Sequence, residues 1–110
     1  GGILIKLWNL QLEVINMIDI EQYKLNLLVD RYRLMLEDIL PSTNVNDIED
    51  PEAMPEHLIW MLDEIETNTE QSVTKKHRWL SWVSACLILV YRATTVMKER
   101  DATRETLNGS

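Results

Sequence analysis

Apolar positions recur every three or four residues along most of this chain, which is the period of an α-helix packed on one side. The longest such stretch runs from Ile3 to Leu40 without a glycine or proline. Read as one helix, it carries a stripe through Leu4, Trp8, Ile15, Ile18, Leu25, Val29, Tyr32, Leu36 and Ile39, interrupted by Gln11 and Gln22. Leu7, Val14, Leu28 and Met35 widen that stripe, and Met17, Ile20, Leu27 and Leu34 lie well away from it. A helix with one solvated side has one apolar face. This one has two, so it should be covered on more than one side.

Length sharpens the point. A continuous helix over residues 3–40 would extend about 57 Å, whereas a compact domain of this size has a radius of gyration near 13 Å. The segment must therefore break or project and pair with another copy. The expected break falls before Met17, because Leu10 to Val14 alternates apolar and polar residues in a way that suits a strand as well as a helix. Met17 also reads as a natural start, since a purine-rich ribosome-binding sequence can encode Glu13-Val14. On that hypothesis residues 1–16 are an extension or arm and residues 17–110 a single helical domain. The upstream DNA tests it: an earlier in-frame start codon with its own ribosome site would sink it.

Pro41 ends the first helical segment, and Ser42 to Asp47 is a polar connector. Asp50-Pro51-Glu52 has an N-cap acceptor followed by proline at the first helical position. Pro55 then interrupts, which predicts a single turn and a helix from Glu56 to Thr67. Its inner face should comprise Leu58, Ile59, Leu62 and Ile65. Ser72 is the expected cap of a helix reaching Ala93, and Thr94 or Thr95 that of a last short helix through Glu105. The apolar run from Trp79 to Tyr91 should form the centre of the bundle. The fold class expected is all-α: a small bundle of three to four helices with a long N-terminal helical segment. Its surplus apolar surface points to a homo-oligomer.

Composition agrees with helices. Phe is absent, four Trp and five Met take its place, and residues 3–108 contain no glycine. A β-sandwich needs turns far more often than three prolines and three glycines supply. The single cysteine, Cys86, lies in an apolar run and reads as a buried small hydrophobe in a reducing cytoplasm. The Trp79–Tyr91 run is shorter than the roughly 20 residues that span a membrane. A cytoplasmic location, with no membrane partner, is the expectation.

Charge is uneven. Residues 1–70 hold 4 basic and 15 acidic side chains, and residues 71–110 hold 7 basic and 3 acidic, so the net −7 divides into −11 and +4. An acidic whole argues against general nucleic-acid binding. The two parts can attract each other, or the basic end can form a contact surface.

No chemistry-bearing pattern stands out. His57 and His77 lack a second ligand at helical spacing, so no metal and no cofactor are expected. A phosphate loop needs glycines this chain lacks, and the acids between Asp47 and Glu70 read as a solvated face. Ser81 and Ser84 lie on a helix, not on the sharp turn of a nucleophilic serine. The protein is read as a non-enzyme.

Lys75-Lys76-His77-Arg78-Trp79 is the most suggestive cluster, since cations beside an aromatic can grip phosphate and stack on a base. The candidate phosphate or partner contacts are Lys75, Lys76, Arg78, Trp79, Lys98, Arg100 and Arg104. The candidate oligomer interface is Trp8, Ile15, Ile18, Leu25, Val29, Tyr32, Leu36, Ser81 and Ala85, the last two forming a small-x-x-x-small pair that lets another helix approach.

Three stretches carry a resemblance: His57-Leu58-Ile59-Trp60-Met61-Leu62-Asp63-Glu64-Ile65, Ser72-Val73-Thr74-Lys75-Lys76-His77-Arg78-Trp79-Leu80, and Glu99-Arg100-Asp101-Ala102-Thr103-Arg104. Residues 57–104 resemble the C-terminal part of small tailed-bacteriophage and prophage proteins of unassigned function. That pattern has glycines where this chain has Ser81 and Ala85, so the small face is kept with a looser approach. The resemblance implies a phage-encoded cytoplasmic protein and supplies neither an activity nor functional residues. The leading expectation is thus a phage-type accessory protein that self-associates and binds a protein, such as a host enzyme or defence component. The alternatives are a nucleic-acid accessory factor for replication, recombination or packaging, and a nucleotide sponge between subunits.

Overall fold

The structure is a computed structural model that describes the backbone of residues 2–16 and 19–108, with side chains at 2–9 and 19–108. Its elements are α1 (Gly2–Asn16), α2 (Ile20–Ile39), α3 (Pro55–Thr67), α4 (Val73–Leu89) and α5 (Val96–Asn108). Three single 3-10 turns, Leu40–Ser42, Val45–Asp47 and Pro51–Ala53, join α2 to α3. No strand occurs among the described residues. The all-α class holds, with five helices in place of three to four, because the N-terminal segment divides and residues 96–108 form a full helix.

Local chemistry explains most boundaries. Asp19 has extended backbone and its carboxylate accepts from the Gln22 N–H at 3.1 Å, so α2 begins there. Pro41 converts the end of α2 into a 3-10 turn, where the Thr43 hydroxyl donates to the Ile39 carbonyl at 2.7 Å. Asp50 caps the Pro51 turn through the Glu52 N–H at 2.8 Å. Ser72 caps α4 through the Lys75 N–H, and Thr95 caps α5 through the Lys98 N–H. α4 ends at Leu89, four residues short of Ala93. There the Ala93 N–H turns back to the Leu87 carbonyl at 2.8 Å, and Arg92 takes φ 53°, the left-handed region where glycine is usual.

The central helix is α2, not α4. It packs on α3, α4 and α5, whereas the bundle leaves Trp82, Leu89 and Val90 at the α4 side exposed. Leu25, Val29 and Leu36 of α2 are fully buried against Leu58, Leu62 and Ile65 of α3 and Val83 and Leu87 of α4. Each such aliphatic side chain stabilises the fold by about 1.5–3 kcal/mol. On α3 the inner position expected of Ile59 belongs to Met61, because Leu58, Met61, Leu62 and Ile65 share one helical face. Trp82 and Tyr91 tie the end of α4 to the preceding connector. Their N–H and O–H donate to the Glu52 and Ala53 carbonyls and fasten the helix to the Pro51–Ala53 turn.

Polar bonds fix the helix directions. Lys24 Nζ donates to the Leu107 carbonyl near the start of α2, and Arg31 meets Glu99 further along it, so α5 runs antiparallel to α2. α1 stands outside this packing, with Ile3, Leu4, Ile5, Leu7 and Trp8 all exposed. The radius of gyration is accordingly 17.9 Å and the longest extent 67 Å, well above the compact value of about 13 Å.

Candidate functional site

α4 and α5 both rest on α2, yet they stand apart from each other. The reason is in the side chains. α4 turns Ser81, Ser84 and Ala85 toward α5, and residues this small cannot fill the gap between two helices. α5 is held to α2 instead, by Arg31. Its Nε and Nη2 donate to Glu99 Oε1 and Oε2 at 3.0 and 2.9 Å, a bidentate pair completed by the Thr94 hydroxyl. Burial pushes the Glu99 carboxyl up, but the guanidinium and Thr94 outweigh it and hold it below the ordinary carboxylate range. The Glu99 bond in turn pushes the Arg31 guanidinium up.

The result is a groove floored by Leu28 and Tyr32 of α2 and walled by α4 and α5. It comprises two adjoining cavities of about 220 and 430 Å³ that share Ser84, Ile88, Thr103 and Leu107. Burial raises the Tyr32 hydroxyl above its usual range, while hydrogen bonding by Ser84 and Thr103 acts against the shift. His77 lines the α4 bank and Arg100 and Arg104 line the α5 bank. Arg78 is exposed two turns before Ala85 on the same side of α4. Among the described residues Arg78, Lys98 and Arg104 have no ion-pair partner, and Arg100 reaches only its neighbour Asp101 at 3.7 Å. A groove with an apolar lining and cations along its edges fits an apolar helix flanked by carboxylates.

The sequence-predicted contacts divide. Ser81, Ala85, Arg100 and Arg104 come together at the groove, with Arg78 beside it. Lys75 and Trp79 lie elsewhere on α4, where the Lys75 ammonium sits 4.9 Å from the Trp79 ring centroid and Trp79 packs on Trp60. Lys98 stands outside the lining. Lys76 is corrected outright: it is buried, and its Nζ donates to Gln22 Oε1 at 2.6 Å, so it is not available to phosphate. The local run of cations is dispersed around the helix because consecutive residues point 100° apart.

The interface set is corrected as well. Leu25, Val29, Tyr32 and Leu36 are 0–2% exposed, since α3, α4 and α5 of the same chain cover that face. Trp8 is exposed, while the Ile15 side chain and Ile18 lie outside the described residues. The free face of α2 is the other set, Ile20, Leu27 and Leu34 with Tyr23, at 44–65% exposure.

Cys86 is buried, and burial with the nearby Asp50 charge pushes its thiol up to about 11. No group of three or more His, Cys, Asp or Glu among the described residues is placed to hold a metal ion. No helix among them is long and apolar enough to cross a membrane. Comparison of the chain with protein families, curated proteins and solved structures found no match.

Proposed function

We propose that this is a small phage-type accessory protein of the bacterial cytoplasm that acts without catalysis, by binding another protein through the α4–α5 groove. The observation that carries this reading is that α4 and α5 are both anchored to α2 and separated from each other, leaving a slot whose accessible apolar lining is Ile88, Val96 and Leu107, above the buried Leu28 and Tyr32. The favoured occupant is an amphipathic helix with an aliphatic stripe between Asp and Glu residues. The apolar lining of Ile88, Val96 and Leu107 supplies affinity, and Arg78, Arg100 and Arg104 supply orientation and steering. Host enzymes and defence components are the partner classes in view.

Capture from a bacterial host lysate tests it. The wild-type chain should retain a specific protein that the double variant Arg100→Glu/Arg104→Glu fails to retain. Equal retention by both, or none by either, contradicts the reading.

A second reading rests on the same cations. Arg78, Arg100 and Arg104 are without ion pairs across the fold among the described residues, and an array of this kind also suits phosphates. A nucleic-acid accessory role would then use the groove banks and not its apolar lining.

A further inference from the structure

We infer that the groove accepts α2 of a second copy of this chain, so that the protein assembles head to tail. This rests on the groove reading above and names its occupant. The exposed face of α2 presents Ile20, Leu27 and Leu34 at strict seven-residue spacing. A repeat of seven keeps an apolar seam aligned with a partner helix. The core does not need these residues, because the buried stripe from Leu25 to Leu36 occupies the opposite face.

Charge selects the second copy over an unrelated apolar helix. Exposed Asp30, Glu37 and Asp38 lie beside the seam on α2, and none is paired outside its own helix among the described residues. The groove offers Arg100 and Arg104. One surface is an aliphatic ridge bordered on one side by Asp30 and Glu37 and on the other by Lys24 and Arg31, whose donors are taken up by the Leu107 carbonyl and Glu99 of the same chain. The other is an apolar slot with Arg100 and Arg104 on its α5 bank. Lengths agree too: the seam from Ile20 to Leu34 runs about 21 Å and the groove wall from His77 to Ile88 about 16 Å. The same pairing accounts for the division of charge along the sequence, acidic through residue 70 and basic after it, since no ion pair among the described residues joins an acid of the first part to a base of the second.

The two surfaces are different patches, so the contact is heterologous. It builds rings or open chains, not a two-fold dimer. Raising ionic strength should weaken it, by roughly tenfold between low and high salt.

Two exposed double variants of the full chain separate the halves of the interface: Leu27→Glu/Leu34→Glu loses the ridge, and Arg100→Glu/Arg104→Glu loses the slot. Circular dichroism melts verify that each is folded. By light scattering behind size exclusion, the wild type should exceed monomer mass at low salt, and each variant alone should be monomeric. An equimolar mixture of the two should form a one-to-one dimer that cannot grow, because one partner keeps the ridge and the other the slot. A monomeric wild type, continued self-association of either variant, or a mixture that stays monomeric would overturn the inference. A labelled designed helix, with Leu at every seventh position flanked by Glu, separates this failure from that of the groove reading. If the wild type is monomeric but binds that peptide and the Arg100→Glu/Arg104→Glu variant does not, the groove stands and the second-copy inference falls.

Discussion

The Lys76 ammonium donates to Gln22 Oε1 at 2.6 Å, and the Gln22 amide nitrogen donates in turn to Asn26 Oδ1 and to the Ile65 carbonyl. One polar side chain in the apolar stripe of α2 thereby joins α2, α3 and α4. Lys76→Ala should destabilise the fold by about 1–3 kcal/mol, because a half-buried acceptor loses its donor. Urea melts measure this. The substitution should leave nucleic-acid affinity unchanged, which loss of a surface phosphate contact would not.

Glu99→Gln should cost about 1–3 kcal/mol. Breaking a fully buried pair costs more, but the Arg31 side chain is 36% exposed and solvent screens part of the interaction. The sign of the pH dependence follows. The folded carboxyl lies below its unfolded value, so its contribution is present above the unfolded value, near 4.3, and is lost as pH falls through the folded one. Melting temperature should therefore fall on acidification below about pH 4.5 in the wild type, and less steeply in the variant.

Cys86 should resist thiol reagents. With its thiol pushed up to about 11, only about one molecule in a thousand carries a thiolate at pH 8. Native protein should react with an aromatic disulfide reagent only slowly, and urea-unfolded protein at once. Fast reaction of folded protein would show that the helices around α4 do not shield the thiol.

Binding of nucleic acid has its own signature. If the groove banks grip phosphates, affinity for single-stranded DNA at low salt should fall steeply as salt rises, and Arg100→Glu/Arg104→Glu should abolish it. No anisotropy change at low salt disposes of that reading.

Much of the helix map is legible in the sequence because caps and prolines act locally. Asp50, Ser72 and Pro41 work within three or four residues of themselves, and the structure places turns and helix ends at each. The stripe from Leu25 to Leu36 is legible as an apolar face, but periodicity does not say whether a face meets its own chain or another. α4 reads as central because it carries the longest apolar run, Trp79 to Tyr91, whereas centrality belongs to α2, which has three helices packed on it. The cations of residues 75–78 form one cluster in one dimension and point different ways on a helix. The groove itself depends on Arg31 and Glu99, which are 68 positions apart, and no local pattern announces that pair.

Whether the gap between α4 and α5 binds a helix decides between these readings of the molecule. Amide chemical-shift mapping on the nitrogen-15-labelled full chain, titrated with the designed acidic amphipathic peptide, answers it residue by residue. A helix-binding groove gives saturable shifts concentrated at Ser81, Ser84, Ala85, Thr103 and Leu107, together with loss of binding in Arg100→Glu/Arg104→Glu. Saturable shifts confined to α1 or to the Trp60–Trp79 face, or no shifts at all, would contradict it.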